Sequence, residues 1–279
     1  MNKLSLFPLF PAVLAAGNLT FGLHFDHEIS YYFVEDKQRH LKSKLEFPKN
    51  VTSLAIRYDQ TIQNFSYSFG TNIVLDSKTQ KGKDFDWQDN RLAVFSSSFN
   101  KITKYRHYHF DLAYKVNNHA ALFGRVKYKK ILQEWHNTTQ TNYFKNSFIK
   151  VDGKSLAFEE KRYQYHLGVK YHENVANNIT FSLTPSLVFA QVKTKDYHIL
   201  RNFYVTQHPK CFGYSLQGGL QYRITKKSAM LLFTSYTYMQ DKNTPMHYFS
   251  DFSKKLFLRL PSSYTNKSLN FGFSYSISF

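Results

Sequence analysis

The closing stretch "SLNFGFSYSISF" constrains the fold more than any other: Leu269, Phe271, Phe273, Tyr275, Ile277 and Phe279 occupy every second position. Side chains of an extended chain point alternately to its two faces, so strict period two over this span means a β-strand with one wholly apolar face. The alternation recurs in "NFSYSFGTNIVL", where Phe65, Tyr67, Phe69, Ile73 and Leu75 oppose Asn64, Ser66, Ser68, Gly70 and Asn72. It recurs again in "TFSLTPSLVFAQ", with Phe181, Leu183, Leu187 and Phe189 opposite Thr180, Ser182, Thr184 and Ser186. One face is large and apolar and the other small and hydroxylic, the division between lipid and lumen in a transmembrane β-barrel.

A mean hydropathy of -0.47 does not conflict with this, because the two faces of such a strand cancel in any window. Beyond the extreme N-terminus no run approaches the roughly 20 apolar residues of a spanning helix, which excludes a helical membrane protein. Aromatic residues make up 18% of the chain, with 27 Phe and 21 Tyr. The terminal Phe279, with aromatics stepping back by two, resembles the C-terminal signal by which outer-membrane barrels are recognised for assembly.

The pattern predicts a single all-β domain over 18–279, a ten-stranded antiparallel transmembrane β-barrel. Its strands are expected at about 18–33, 41–58, 63–76, 101–115, 119–132, 156–172, 178–193, 202–224, 228–239 and 262–279. An even number closes the barrel without an exposed edge. Tight links at 59–62, 116–118, 174–177 and 225–227 alternate with long or polar ones at 34–40, 77–100, 133–155, 194–201 and 240–261. Short periplasmic turns and long extracellular loops are the pattern of outer-membrane barrels.

The N-terminal "MNKLSLFPLFPAVLAAGN" has a lysine, an apolar run from Leu4 to Ala16 and small residues suited to cleavage, as in a secretory signal over 1–17. Cys211 stands alone, so there is neither a disulfide framework nor a thiolate cluster for a metal. The formal net charge of +18 invites nucleic acid as a partner, but the basic residues are spread along the whole length with no recognition motif. A phosphate-rich membrane surface explains the charge as well.

Two short acidic motifs carry the candidate chemistry. Asp84-Phe85-Asp86 and Asp196-Tyr197-His198 each place two polar side chains at i and i+2, hence on one side of an extended chain. Unbroken parity from the 180–189 strand puts Thr194, Asp196 and His198 on the lumenal face, and both motifs follow strands that end on the long-loop side. They therefore share one mouth of the barrel. Asp196 would raise the pKa of His198 and orient it as a general base toward a water, while two repelling carboxylates opposite would share a proton or bind that water. This is water-activated hydrolysis with no covalent enzyme intermediate. The carboxylates and histidine lack the backbone and amide oxygens of a hard-cation frame, so neither a metal nor another cofactor is expected.

These residues resemble the omptins, ten-stranded outer-membrane endopeptidases. "DFDWQD" is similar to that family's D-x-D-W-x-D segment at Asp84, Asp86, Trp87 and Asp89, and "KDYH" to its D-x-H at Asp196 and His198. The resemblance implies a catalytic set of Asp84 and Asp86 facing Asp196 and His198, open to the cell exterior. It implies cleavage of cationic peptides and proteins next to basic residues, with acids at the base of the substrate pocket. Glu28 falls near one acid position; the other is Thr194, which removes a charge. It implies lipopolysaccharide as an activating partner, held by basic residues outside the barrel. Arg162 resembles one such position and Lys210 another, while Lys129 and Lys130 of "KYKK" are out of register with the third. A non-enzymatic adhesin or binding barrel with an acidic mouth is the alternative from another class, and a porin suffers because ten strands filled by their own side chains leave little channel.

Overall fold

The computed structural model describes residues 17–279, so the expected signal segment lies, apart from Gly17, outside the described residues. The chain forms β1 (Asn18–Asp36), β2 (Leu41–Ile62), β3 (Phe65–Lys78), β4 (Gln80–Gln88), β5 (Arg91–Lys115), β6 (Ala120–Asn142), β7 (Ser147–Ala176), β8 (Ile179–His198), β9 (Phe203–Gln207), β10 (Lys210–Thr225), β11 (Ser228–Ser250) and β12 (Leu256–Ser278). Every pairing is antiparallel, and β1 pairs with both β12 and β2, which closes the ring. The wall has ten positions because β4 continues β3 between β2 and β5, and β9 continues β10 between β8 and β11. The single strand expected over 202–224 is thus two, interrupted at Pro209, which has no N–H to give to a ladder.

Both described ends meet at one rim, where Asn18 pairs with Ser278. That lower rim carries the short turns. At the upper rim, the segments expected as long loops are strands: residues 77–100, 133–155, 194–201 and 240–261 supply β4, the start of β5, the facing ends of β6 and β7, the end of β8, and the facing ends of β11 and β12. The barrel therefore rises as hairpins with tight tips.

The reason is an inversion of amphipathicity along each strand. On lower β7, Tyr163, Tyr165 and Leu167 face outward and are 41%, 44% and 65% exposed, whereas Phe158 and Leu156 above them have the opposite parity and are buried inside. On β8, outward Leu187 and Phe189 overlap inward Val188, Ala190 and Val192. The lower half turns its apolar face to lipid; the upper half turns it to the lumen, as a water-soluble barrel does. Period two disappears where the two patterns meet.

The lumen is accordingly layered. A polar chamber of about 590 Å³, lined by His24, Arg57, Asn72, His107, His109 and Lys127 among others, occupies the lower half. Above it lies a layer of buried ions, then an apolar cluster of Tyr32, Leu45, Phe47, Trp135, Phe158, Val205 and Met246. Phe47 and Phe158 stack with centroids 4.1 Å apart, and Tyr32 meets each edge-on at 5.4 and 5.5 Å.

Candidate active site

Asp84 and Asp86 lie on β4, opposite Leu45 and Ser43 of β2. Their inward orientation survives two irregularities. The β2–β3 register slips by one residue between Thr52 and Ser53, and a second one-residue slip separates β3 from β4, so the flips cancel. Gly82, one step below, permits this course: a Cβ there would stand 2.4 Å from the Trp135 ring. Lys81 and Lys83 have the other parity and face away from the cleft, and Trp87 stacks on Phe85 on that same outer side. Asp89 adopts φ 49° in the tight turn to β5, and its amide donates to His40 O at 3.0 Å; its place is in the turn.

Across the mouth, β8 runs without a slip through Thr194, Asp196 and His198, all inward. His198 Nε2 is 3.3 Å from Asp196 Oδ2. The imidazole stacks on Phe203 of β9, centroids 4.4 Å apart, so its plane is set by the strand that begins after the 3-10 turn Ile199–Arg201. The other Asp196 oxygen, Oδ1, is buried without a protein partner.

All four residues line one cleft of about 150 Å³, with Ser43 and Thr194 beside them, Arg201 at its edge, and Tyr32, Phe47, Phe158, Phe203 and Tyr248 among its apolar walls. Burial and the neighbouring Asp86 raise the Asp84 carboxyl from its ordinary 3.8 to about 7, against the pull of His198 and Arg201. Burial also raises Asp86, opposed by a hydrogen bond from Ser43, Arg201 and His198. Ser43 Oγ donates to Asp84 Oδ1 at 3.4 Å, and its one proton serves one carboxylate at a time. Burial acts to lower His198, but the charge and hydrogen bond of Asp196 prevail and its pKa is raised. Two groups on opposite walls thus change protonation near neutrality, an arrangement suited to moving one proton at a time across bound substrate.

The other site residues named from the sequence fall elsewhere. Thr194 lines the cleft, but Glu28 does not. Glu28, only 1% exposed, belongs to the ion layer beneath. Lys49 Nζ lies 2.8 Å from Glu28 and 3.2 Å from Glu160; Arg162 Nη2 lies 2.7 Å from Glu28 and also bonds Glu160; Lys129 Nζ lies 2.7 Å from Glu28. Arg162, 2% exposed, is therefore inside the barrel and cannot meet a lipid headgroup, a correction of the expected exterior role. Lys129 is inside with it. Lys210 is exposed on the outer face.

Sequence reasoning missed both Lys49 and Glu160 of this layer, and of the exterior cations it named Lys130 and Lys210 but missed Arg106, Lys161 and Lys193. Arg106 pairs with Lys130, Lys130 with Lys161 and Lys161 with Lys193, a row across β5 to β8 on the outer surface. Two residues below on each strand runs a tyrosine row, Tyr108, Tyr128 and Tyr163, with centroids 6.3 and 5.0 Å apart. Glu159 pairs with Lys130 and Lys161 at 3.2 and 2.9 Å, leaving the row net positive. A signal existed: in "RYQYHL" the outward tyrosines oblige Arg162 to point inward.

No family model and no curated protein matches the sequence. Among solved structures, the outer membrane protease OmpT from Escherichia coli superposes over 95% of this chain and 97% of its own, with a TM-score of 0.78 at 10% identity. The chain has an OmpT-like fold. The outer membrane protein OprG from Pseudomonas aeruginosa matches over 94% of this chain and 96% of its own, with a TM-score of 0.41 and 10% identity. The likeness to OmpT, over 95% of the chain, sets the architecture as that of an outer-membrane β-barrel.

Proposed function

We propose that this protein is an outer-membrane endopeptidase, its cleft open to the cell exterior, in which a water between Asp84/Asp86 and Asp196/His198 attacks the scissile carbonyl. The observation that carries the reading is the convergence of these four side chains, from strands more than a hundred residues apart, on one cleft. The water oxygen bonds to the carbonyl carbon, and the C–N bond breaks. One water proton passes to the unprotonated member of the two couples, and the proton held by the other goes to the departing amine, so the productive state holds one proton between Asp84 and His198. The unpartnered Asp196 Oδ1 is an acceptor for the water or for a substrate N–H. Neighbours within the cleft supply orientation: Ser43 to the Asp couple, Phe203 to the imidazole.

Two further parts of the reading come from the omptin resemblance. The exterior row Arg106, Lys130, Lys161 and Lys193, above the tyrosines and near Lys210, suits the phosphates of lipopolysaccharide, which these cations would hold at headgroup height. Preference for basic substrate residues would need an unspent carboxylate, and Glu28 has none to offer within its shell of Lys49, Lys129 and Arg162.

The test is cleavage of a mixed peptide library by purified protein refolded with lipopolysaccharide. Asp84→Asn and His198→Ala should each lower kcat/KM by at least about 100-fold while the barrel still folds. Full activity of the His198→Ala protein would reject the mechanism. A binding barrel without catalysis would leave every peptide intact.

A further inference from the structure

From the floor of the cleft we infer that this site selects an apolar, including aromatic, side chain next to the scissile bond and rejects a basic one. The inference rests on the endopeptidase reading and names its substrate class.

Directly below the couples the cleft is walled by Tyr32, Leu45, Phe47, Phe158, Val205 and Met246, all buried. Phe158 pairs in register with Asp196, and Leu45 with Asp84, so the apolar floor begins at the level of the reacting groups. The cleft that this floor closes has a volume of about 150 Å³, its carboxylate and imidazole walls included, on the scale of a cavity that holds one benzene-sized group. A guest side chain held there by dispersion and by loss of apolar area to water needs no counter-ion.

Below the level of Asp84, Asp86 and Asp196, a guest cation would find no unpaired carboxylate. The two buried acids below the floor, Glu28 and Glu160, are already matched by Lys49, Arg162 and Lys129, giving two negative charges against three positive. Thr194, opposite Glu160 in the register, contributes a hydroxyl that donates to Gln207 O at 3.5 Å, and no charge. At the rim stands Arg201, with no carboxylate in ion-pair range among the described residues. An Arg or Lys reaching that floor would surrender its hydration among apolar side chains, above an ion layer with an excess of positive charge, a costly transfer for an ion.

The experiment uses the full protein refolded with lipopolysaccharide and a series of peptides identical except for the residue on each side of one bond: Phe, Leu, Met, Ala, Arg or Lys. Cleavage products are read by mass spectrometry and rates by kcat/KM. The expected result is at least about a tenfold advantage for Phe, Leu or Met over Arg and Lys at one flanking position. Cleavage confined to bonds flanked by Arg or Lys would overturn the inference and leave the endopeptidase reading standing. No cleavage of any peptide would overturn both. In a second arm, Met246→Asp places an unspent carboxylate in the floor and should raise the Arg-to-Phe rate ratio by about tenfold or more. An unchanged ratio in a protein that still shows the heat-dependent gel mobility of a folded barrel would also overturn it.

Discussion

Replacing Arg162 by Met should destabilise the barrel without touching the proposed dependence on lipopolysaccharide. Arg162 is buried, and its guanidinium bonds Glu28, Glu160, the Asn266 side chain at 3.2 Å and the Tyr264 hydroxyl at 3.1 Å. Removing one member of a buried ion cluster costs about 3–5 kcal/mol, most of it from charges left uncompensated. Here the remainder is two carboxylates with Lys49 and Lys129, a balanced set, so the loss should sit near the lower figure, about 3 kcal/mol. Glu28→Gln is the opposite case. It leaves Lys49, Lys129 and Arg162 around Glu160 alone, and should approach about 5 kcal/mol. The gap of about 2 kcal/mol is a ~30-fold difference in folding constant. Urea titration in detergent micelles, followed by the gel mobility of folded and unfolded barrel, measures both. If Arg162→Met left the urea midpoint unchanged but abolished stimulation by lipopolysaccharide, Arg162 would face the lipid and the whole strand register argued above would be wrong. If Glu28→Gln proved the milder change, the charge count would be at fault.

The rate of peptide cleavage should follow a bell-shaped pH profile. On the proposed mechanism it falls below about 7 as Asp84 is protonated while His198 still holds its proton, so that the pair carries two, and falls at higher pH as His198 loses its own, later than an ordinary imidazole would. Asp196→Asn removes the charge that holds the imidazolium and should move the alkaline limb to lower pH in kcat/KM profiles. Lys161→Gln with Lys193→Gln should raise by about tenfold or more the lipopolysaccharide concentration needed for half-maximal activity, with urea stability unchanged. Gly82→Ala drives a methyl group toward the Trp135 ring, 2.4 Å from the ideal Cβ, and should cost about 1–3 kcal/mol in the same urea titration while lowering kcat through displacement of Asp84.

How far the sequence could be read depended on which solvent each strand faced. Where the wall meets lipid, Phe271, Phe273 and Tyr275 alternate with small residues, and that band was legible. Above it, the outward positions are polar and the inward ones apolar, so "LVFAQV" on β8 reads as a continuous run and 133–155 as a loop. Asp196 and His198 were legible because β8 has no slip between Ser186 and His198, and parity carried through. Asp84 and Asp86 kept their inward parity only because two slips cancelled, which no pattern of residues announces. The role expected for Arg162 failed differently: position in a motif was preferred to the parity of its own neighbours, Tyr163 and Tyr165, which already placed it inside.

The layers between the lower chamber and the cleft also make the molecule a septum. The chamber of about 590 Å³ and the cleft at Asp84, Asp86, Asp196 and His198 are two compartments, parted by Phe47, Phe158 and the five-membered ion layer of Glu28, Lys49, Lys129, Glu160 and Arg162. A small ion crossing from one to the other would have to shed its hydration among aromatic rings and then displace a side chain from a filled ion cluster. The floor of the cleft is therefore also the barrier between the two compartments. On the endopeptidase reading, any deepening of the cleft toward bulkier substrate residues thins that barrier, so the barrel can accommodate a larger residue only at the cost of a leak through its own lumen.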